Sequence, residues 1–202
     1  MSDKDWIGNS KSIYVTLGAS SHSEVIREDD DYYATDPIAL RLLIEECGVK
    51  FSPTVLEPCA GGGHLSEVLK EYGYNVISKD IKEHNYKLDG TWDFLTTDEK
   101  YDCDIVTNPP YKYAEDFILK GLDMIPENRS LYMFLKLQFL EGKSRRKSLY
   151  DNNYLSHIWV STKRIKCAKN GDFDSIGSSA VCYAWMKFNK NNKDKATIEW
   201  FN

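Results

Sequence analysis

Two short β-prone runs in this chain each end on an unusual loop and pass at once into an amphipathic helix, an order that leaves few folds open. The first, Thr54-Val55-Leu56, runs into Glu57-Pro58-Cys59-Ala60-Gly61-Gly62-Gly63; Leu65, Val68, Leu69 and Tyr72 then recur at helical spacing and Gly73 closes the helix. The second, Asp104-Ile105-Val106-Thr107, ends at Asn108-Pro109-Pro110-Tyr111, after which Ala114, Phe117, Ile118, Leu122 and Ile125 share a helical face. A third run, 75–78, leads into Lys79-Asp80. Strands joined through helices lie parallel, because the helix carries the chain back across the sheet. Upstream, Asp36 suits an N-cap and Pro37 the first helical position, which predicts a helix over 37–47 that presents Ile38, Leu42 and Leu43 and stops at Gly48. Three more β-rich runs follow at 130–137, 155–160 and 179–188. No helix-length pattern separates the last two, so an antiparallel edge is expected there. Ligands of such sheets bind at the carboxyl ends of strands, where both loops fall.

The glycine loop lets backbone approach a ligand closely, and the helix after it aims its first N–H groups at the same place. Asp80 ends the next strand, where a carboxylate accepts the two hydroxyl protons of a ribose. A dinucleotide site is the rival reading. It requires a third glycine where Ser66 stands, and Glu57 ahead of the turn suits a cationic ligand better than a pyrophosphate. A purely structural turn would also explain three glycines.

Asn108-Pro109-Pro110-Tyr111 suits a planar amine. The lone pair of such an amine is delocalised into its ring, so the site must offer acceptors that draw both N–H bonds out of plane. Asn108 has a side-chain carbonyl, and Pro109 has a backbone carbonyl without an N–H. Pro110 restricts Pro109 to extended backbone, and Tyr111 supplies a ring on which a base can stack. Two prolines also end a strand for purely structural reasons, so it is the combination with the glycine loop and Asp80 that is specific. Cysteine chemistry at a pyrimidine carbon would need a thiolate, and Cys59 inside the loop reads as a buried small residue.

Together, E-P-x-A-G-G-G, Asp80, Asp93-Phe94 and N-P-P-Y resemble the class I S-adenosylmethionine (SAM)-dependent amino-methyltransferases, and the motif order resembles that of adenine-N6 DNA methyltransferases. The arm segments G-N-S-K-S and T-L-G-A-S and the stretch L-K-L-Q-F-L-E-G-K-S-R-R are similar to small phage-encoded methyltransferases. The resemblance covers residues from about 32 to 188. It implies a Rossmann-like α/β fold, with a mostly parallel seven-stranded sheet and an antiparallel C-terminal edge. It also implies SAM as cofactor: Tyr33, Thr35 and Pro37 in a first motif, with Asp36 interposed; Glu57, Pro58, Ala60, Gly61, Gly62 and Gly63 at the methionine end; Asp80 and Ile81 at the ribose; Asp93 and Phe94 at the adenine; and Asn108 between cofactor and substrate. Asn108, Pro109, Pro110 and Tyr111 are then the catalytic set.

The substrate is narrowed by charge. The formal net charge is −5, yet nine basic residues lie between Lys136 and Lys169 with only Glu141 and Asp151 opposing them. Lys143, Arg145, Arg146, Arg164 and Lys166 are the expected phosphate contacts of a nucleic-acid face, with DNA the first expectation. RNA adenine, the amide of a protein glutamine, or a catalytically silent nucleic-acid-binding module are the alternatives. A separate target-recognition domain has no room after the fifth strand. Residues 1–31 lack periodicity and end on Glu28-Asp29-Asp30-Asp31, so they are expected as an arm ahead of a single domain, 32–202. The five cysteines form no Cys-x-x-Cys pair, no apolar stretch reaches membrane length, and the start lacks a secretory pattern. A cytoplasmic, metal-free protein is expected; oligomeric state is not legible.

Overall fold

Leu131-Tyr132-Met133-Phe134-Leu135 is an unbroken apolar run, and in the computed structural model it is the spine of the molecule, β6 (Leu131–Lys136). The model describes residues 32–175, 177 and 181–202. The expected arm, 1–31, lies outside the described residues, as does the start of the 179–188 run. Side chains alternate along β6 between two cores. Leu131, Met133 and Leu135 join Ile105, Phe117, Ile118 and Leu122 on one face. Tyr132 and Phe134 join Leu40, Leu43, Leu65, Leu69 and Trp185 on the other. A strand buried on both faces has no polar side to expose, which is why its sequence shows no alternation.

The second core holds α1 (Ile38–Glu45) and α2 (His64–Glu71), and the first holds α3 (Ala114–Met124). α2 and α3 keep their apolar stripes inward, whereas α1 buries Ala39, Leu40 and Leu43 and leaves Ile38, expected on the buried face, exposed; Asp36 accepts the Ile38 N–H at 3.0 Å, as a cap should. Gly121 lets α3 settle on the sheet, since a Cβ there would stand 3.1 Å from Leu131.

The other strands of the main sheet are β2 (Thr54–Glu57), β3 (Asn75–Asp80), β4 (Gly90–Thr91), β5 (Asp104–Thr107), β7 (Leu155–Ser161), β9 (Tyr183–Phe188) and β10 (Thr197–Phe201). Their order is β10-β7-β9-β6-β5-β2-β3-β4. Strands β2 to β6 are mutually parallel, while β9 runs antiparallel to both β6 and β7. The expected α/β sheet forms and is mostly parallel, but the antiparallel strand expected at the C-terminal edge, β9, is internal, inserted between β6 and β7. Among the described residues the sheet has eight strands rather than seven, because 197–201 adds β10 parallel to β7 at the rim. The chain starts in the middle at β2, builds outward to β4, then returns to build β5 and β6 on the other side. The strand order therefore reverses between β2 and β5, which opens a crevice at their carboxyl ends. At the opposite end Asp104 is buried and satisfied by backbone, accepting the N–H groups of Ser52 and Ser130, each at 2.7 Å. The polar ties there are structural.

A second, two-stranded sheet pairs β1 (Tyr33–Thr35) with β8 (Cys167–Lys169), setting Thr35 against Cys167. It brings the segment before α1 and the segment after β7 to the mouth of the crevice.

Candidate active site

The crevice is a cleft of about 980 Å³. From the cofactor set it gathers Tyr33, Thr35, Glu57, Pro58, Ala60, Gly61, Asp80, Ile81, Asp93 and Phe94. All four residues of Asn108-Pro109-Pro110-Tyr111 line it as well. Pro37, Gly62 and Gly63 do not. Pro37 is spent on starting α1, and Gly63, at φ +78, turns the loop into α2.

Gly61 also has positive φ, +51, and a Cβ there would meet the ring of Tyr32 at 2.7 Å. Its N–H donates to Asp80 Oδ2 at 2.7 Å, while the Ile81 N–H donates to Oδ1 at 2.6 Å. Each Asp80 oxygen keeps lone-pair capacity for a hydroxyl. Burial pushes the Asp80 carboxyl above its ordinary range, opposed by those backbone donors. Glu57 is 1% exposed, accepts a short hydrogen bond from Ser66, and is pushed up to about 8 by burial, with Asp80 adding to the rise. A carboxyl buried this deeply is held largely protonated at neutral pH, the Lys70 charge offsetting only part of the rise. Asp93 Oδ1 caps its own turn by accepting the Leu95 N–H at 3.0 Å, and Phe94 stacks on Phe117 at 4.8 Å.

The central feature is Asn108. Its Nδ2 donates to the carbonyl of Tyr33 at 3.1 Å, while Oδ1 is buried and has no hydrogen-bond partner among the described residues. The assignment does not rest on telling N from O, since a carbonyl can face only the NH2. β1 thus orients the amide and leaves its acceptor open. Beyond it, Tyr111 packs at 6.0 Å from the ring of Tyr183, has its hydroxyl 3.7 Å from Cys167 Sγ, and carries the Lys136 ammonium 5.1 Å above its ring. Cys59 is held well above the ordinary thiol range by burial, with Asp80 adding to the rise. It offers no thiolate.

None of the five expected phosphate contacts lines the cleft. Arg145 lies over Phe139 at 4.7 Å and donates to the carbonyls of Phe139 (2.8 Å) and Glu141. Arg146 is exposed and faces Asp151 at 3.5 Å. Lys143 is exposed, Arg164 contacts Cys182, and Lys166 donates to the Phe173 carbonyl at 2.9 Å. Lys82, Lys112 and Lys136 line the cleft instead. Lys112 and Tyr113 directly continue the Asn-Pro-Pro-Tyr run, and Trp92, which donates to the Pro58 carbonyl at 3.3 Å, directly precedes Asp93. Extending each motif by a residue or two would have found them. Tyr32, directly before Tyr33, would have been found in the same way, whereas Cys167 and Tyr183 come from distant segments and carry no local signal. Among the described residues no helix is long and apolar enough to cross a membrane, and no group of His, Cys, Asp and Glu is placed to hold a metal ion.

No family model and no curated protein sequence matches the chain. Solved structures do. A protein named as a hemolysin from Lactococcus lactis aligns with TM-score 0.58 at 10% identity, over 81% of this chain and 91% of that one. The methyltransferase subunit of a type I restriction-modification system from Streptococcus thermophilus aligns with TM-score 0.58 at 13% identity, over 84% of this chain and 47% of that one. The chain thus spans about half the length of that subunit. An Agrobacterium tumefaciens protein described as a predicted O-methyltransferase aligns with TM-score 0.55 at 12% identity, over 82% and 85%. Identities this low speak for the fold, and the fold of this chain is that of the Rossmann-like methyltransferases.

Proposed function

We propose that the chain is a SAM-dependent methyltransferase that acts on an exocyclic amine, with adenine N6 in DNA as its substrate. The observation that carries this reading is the Asn108 amide. It is anchored through its NH2, and its buried carbonyl oxygen lacks a donor at the lip of a cleft built from the glycine loop and Asp80. Leaving a buried acceptor unpaired costs about 1–3 kcal/mol, and an incoming N–H removes that cost. Oδ1 is shielded from solvent by its surroundings.

The cofactor fits the residues present. Asp80 has room on both oxygens for ribose hydroxyls, Glu57 is a buried carboxyl suited to a cationic group, and Gly61 admits close backbone approach. Bound there, SAM would supply a methyl group on a sulfur that already carries positive charge, so the site needs no general acid. The protein's contribution is placement: Asn108 Oδ1 and the Pro109 carbonyl accept the two N–H bonds, and the Tyr111 ring flanks the base. Lys82, Lys112 and Lys136, together with the aromatic walls of Trp92, Tyr111, Tyr113 and Tyr183, favour a nucleic acid over a protein glutamine. An intact Asn-Pro-Pro-Tyr argues against a silent binding module.

The test is transfer of labelled methyl from SAM to duplex DNA, single-stranded DNA, RNA and protein in parallel. Label in DNA supports the reading; label confined to RNA or to protein replaces the substrate, and label in none removes the activity.

A further inference from the structure

A second cavity, about 400 Å³, opens beside the cleft and is lined by Tyr111, Lys136, Gln138, Phe139, Glu141 and Arg145 among others. It shares Tyr111 and Lys136 with the main cleft, so one aromatic ring and one ammonium form the partition between the two spaces. Apart from Tyr111, its walls come from the end of β6 and the stretch that follows it, Leu135 to Arg145. Phe139 offers a ring face backed by the Arg145 guanidinium at 4.7 Å, and Arg145 is itself fixed by donating to the Phe139 and Glu141 carbonyls. The Tyr150 hydroxyl also donates to the Phe139 carbonyl, at 2.8 Å, which steadies this wall. Gln138, an exposed lining residue, contributes a carboxamide, one donor and one acceptor side by side, to the same cavity.

We infer that this cavity seats the nucleotide next to the one being methylated and is where sequence context is read. The inference rests on the nucleic-acid reading above. Two spaces, each with an aromatic wall, lie to either side of a single cation, which is the arrangement a dinucleotide step requires: two bases apart, one phosphate between. Lys136 takes that phosphate. Phe139 and Arg145 form the stacking face for the neighbouring base. Gln138 pairs with its edge, and the carboxamide is complementary to the N6 amine and N7 of adenine, so adenine is the favoured neighbour. The methylated adenine cannot itself use Gln138 in this way, because its amine is committed to Asn108 and Pro109. Contacts to nucleotides flanking the target base set sequence context in this way.

The experiment uses the full chain and single-stranded oligonucleotides that carry one target adenine and each of the four bases on either side, with the labelled position identified by digestion. 7-Deazaadenine at the neighbour position keeps the amine but removes the N7 acceptor, so it should bind Gln138 less well than adenine. Transfer rates and anisotropy binding are measured together, so recognition is read even without chemistry. The wild type should favour adenine on one side by about 5- to 150-fold in kcat/KM, the range of a bidentate base pair. Gln138→Ala should flatten the preference to within about twofold, and Gln138→Glu should move it toward cytosine, whose amine a carboxylate accepts. Lys136→Ala should raise KM equally for every neighbour while SAM affinity stays constant. A wild type indifferent to its neighbours, or a preference that survives Gln138→Ala in both transfer and binding, overturns the inference and leaves the reading of the main cleft standing. Label entering only protein, with no oligonucleotide bound, instead removes the reading on which the inference rests.

Discussion

Burial holds the Glu57 carboxyl at about 8 in the ligand-free chain. At pH 7 roughly nine in ten of these carboxyls are therefore protonated. An ammonium placed beside Glu57 favours the carboxylate and returns its pKa toward the ordinary 4.5. Cofactor binding at pH 7 should then release about 0.9 of a proton from this residue, falling to about half at pH 8 and to a tenth at pH 9. Apparent affinity should climb toward roughly tenfold per pH unit below pH 8 and level off above it. Calorimetry of SAM or S-adenosylhomocysteine binding in buffers of different ionisation enthalpy counts the protons directly. The difference between wild type and Glu57→Gln isolates this residue from the titration of the ligand's own amine. The same shift bears on stability. A folded pKa raised above the ordinary 4.5 contributes stability that is complete below that value and is lost as pH rises through 8. The ligand-free chain should therefore weaken between pH 5 and pH 9 by on the order of several kcal/mol, and Glu57→Gln should flatten the trend. Equal proton counts in the two proteins would refute the assignment of Glu57 to a cationic group.

Three further outcomes separate the parts of the site. Asn108→Ala should lower turnover by roughly 10²–10³ with little change in SAM affinity, because the acceptor acts chiefly in the transition state; single-turnover kinetics beside calorimetry checks both halves. Gly61→Val should abolish SAM binding, since the residue stands at φ +51 with the Tyr32 ring 2.7 Å from a Cβ; calorimetry with circular dichroism as the control for folding distinguishes a lost site from a lost fold. Arg146→Ala should shrink the log–log salt slope of DNA binding by about one if this exposed arginine leaves Asp151 for a phosphate, and by nothing if it remains a solvated ion pair.

The fold was legible where periodicity and punctuation agreed. Asp36-Pro37 starts α1, the glycine loop sits between β2 and α2, and Asn108-Pro109-Pro110 ends β5, because caps, turns and apolar spacing act locally. The strand β10 was not legible. Its residues alternate weakly, with Ile198 and Trp200 exposed and Phe201 buried, so no apolar stripe announces a rim strand. β1 and β8 are three residues each and owe their existence to pairing across more than a hundred positions, which no window of sequence contains. The same long-range pairing places the Tyr33 carbonyl against Asn108 and Cys167 beside Tyr111. Motifs thus named the chemistry, while the sheet at the cleft mouth decides which way the amide points. The basic segment shows the limit of counting charges. Arg145 and Lys166 are held by backbone carbonyls, whereas the cleft's own lysines, Lys82, Lys112 and Lys136, are spread along the sequence.

The identity of the methylated atom bears most directly on the whole. DNA treated with the full chain and labelled SAM is digested to nucleosides, and the labelled product is identified by chromatography and mass. Transfer to an amine drawn onto Asn108 Oδ1 and the Pro109 carbonyl predicts N6-methyladenine, lost in Asn108→Ala. Label on a ring carbon such as C5 of cytosine, or on a hydroxyl, would contradict it, because neither presents two N–H bonds to those acceptors.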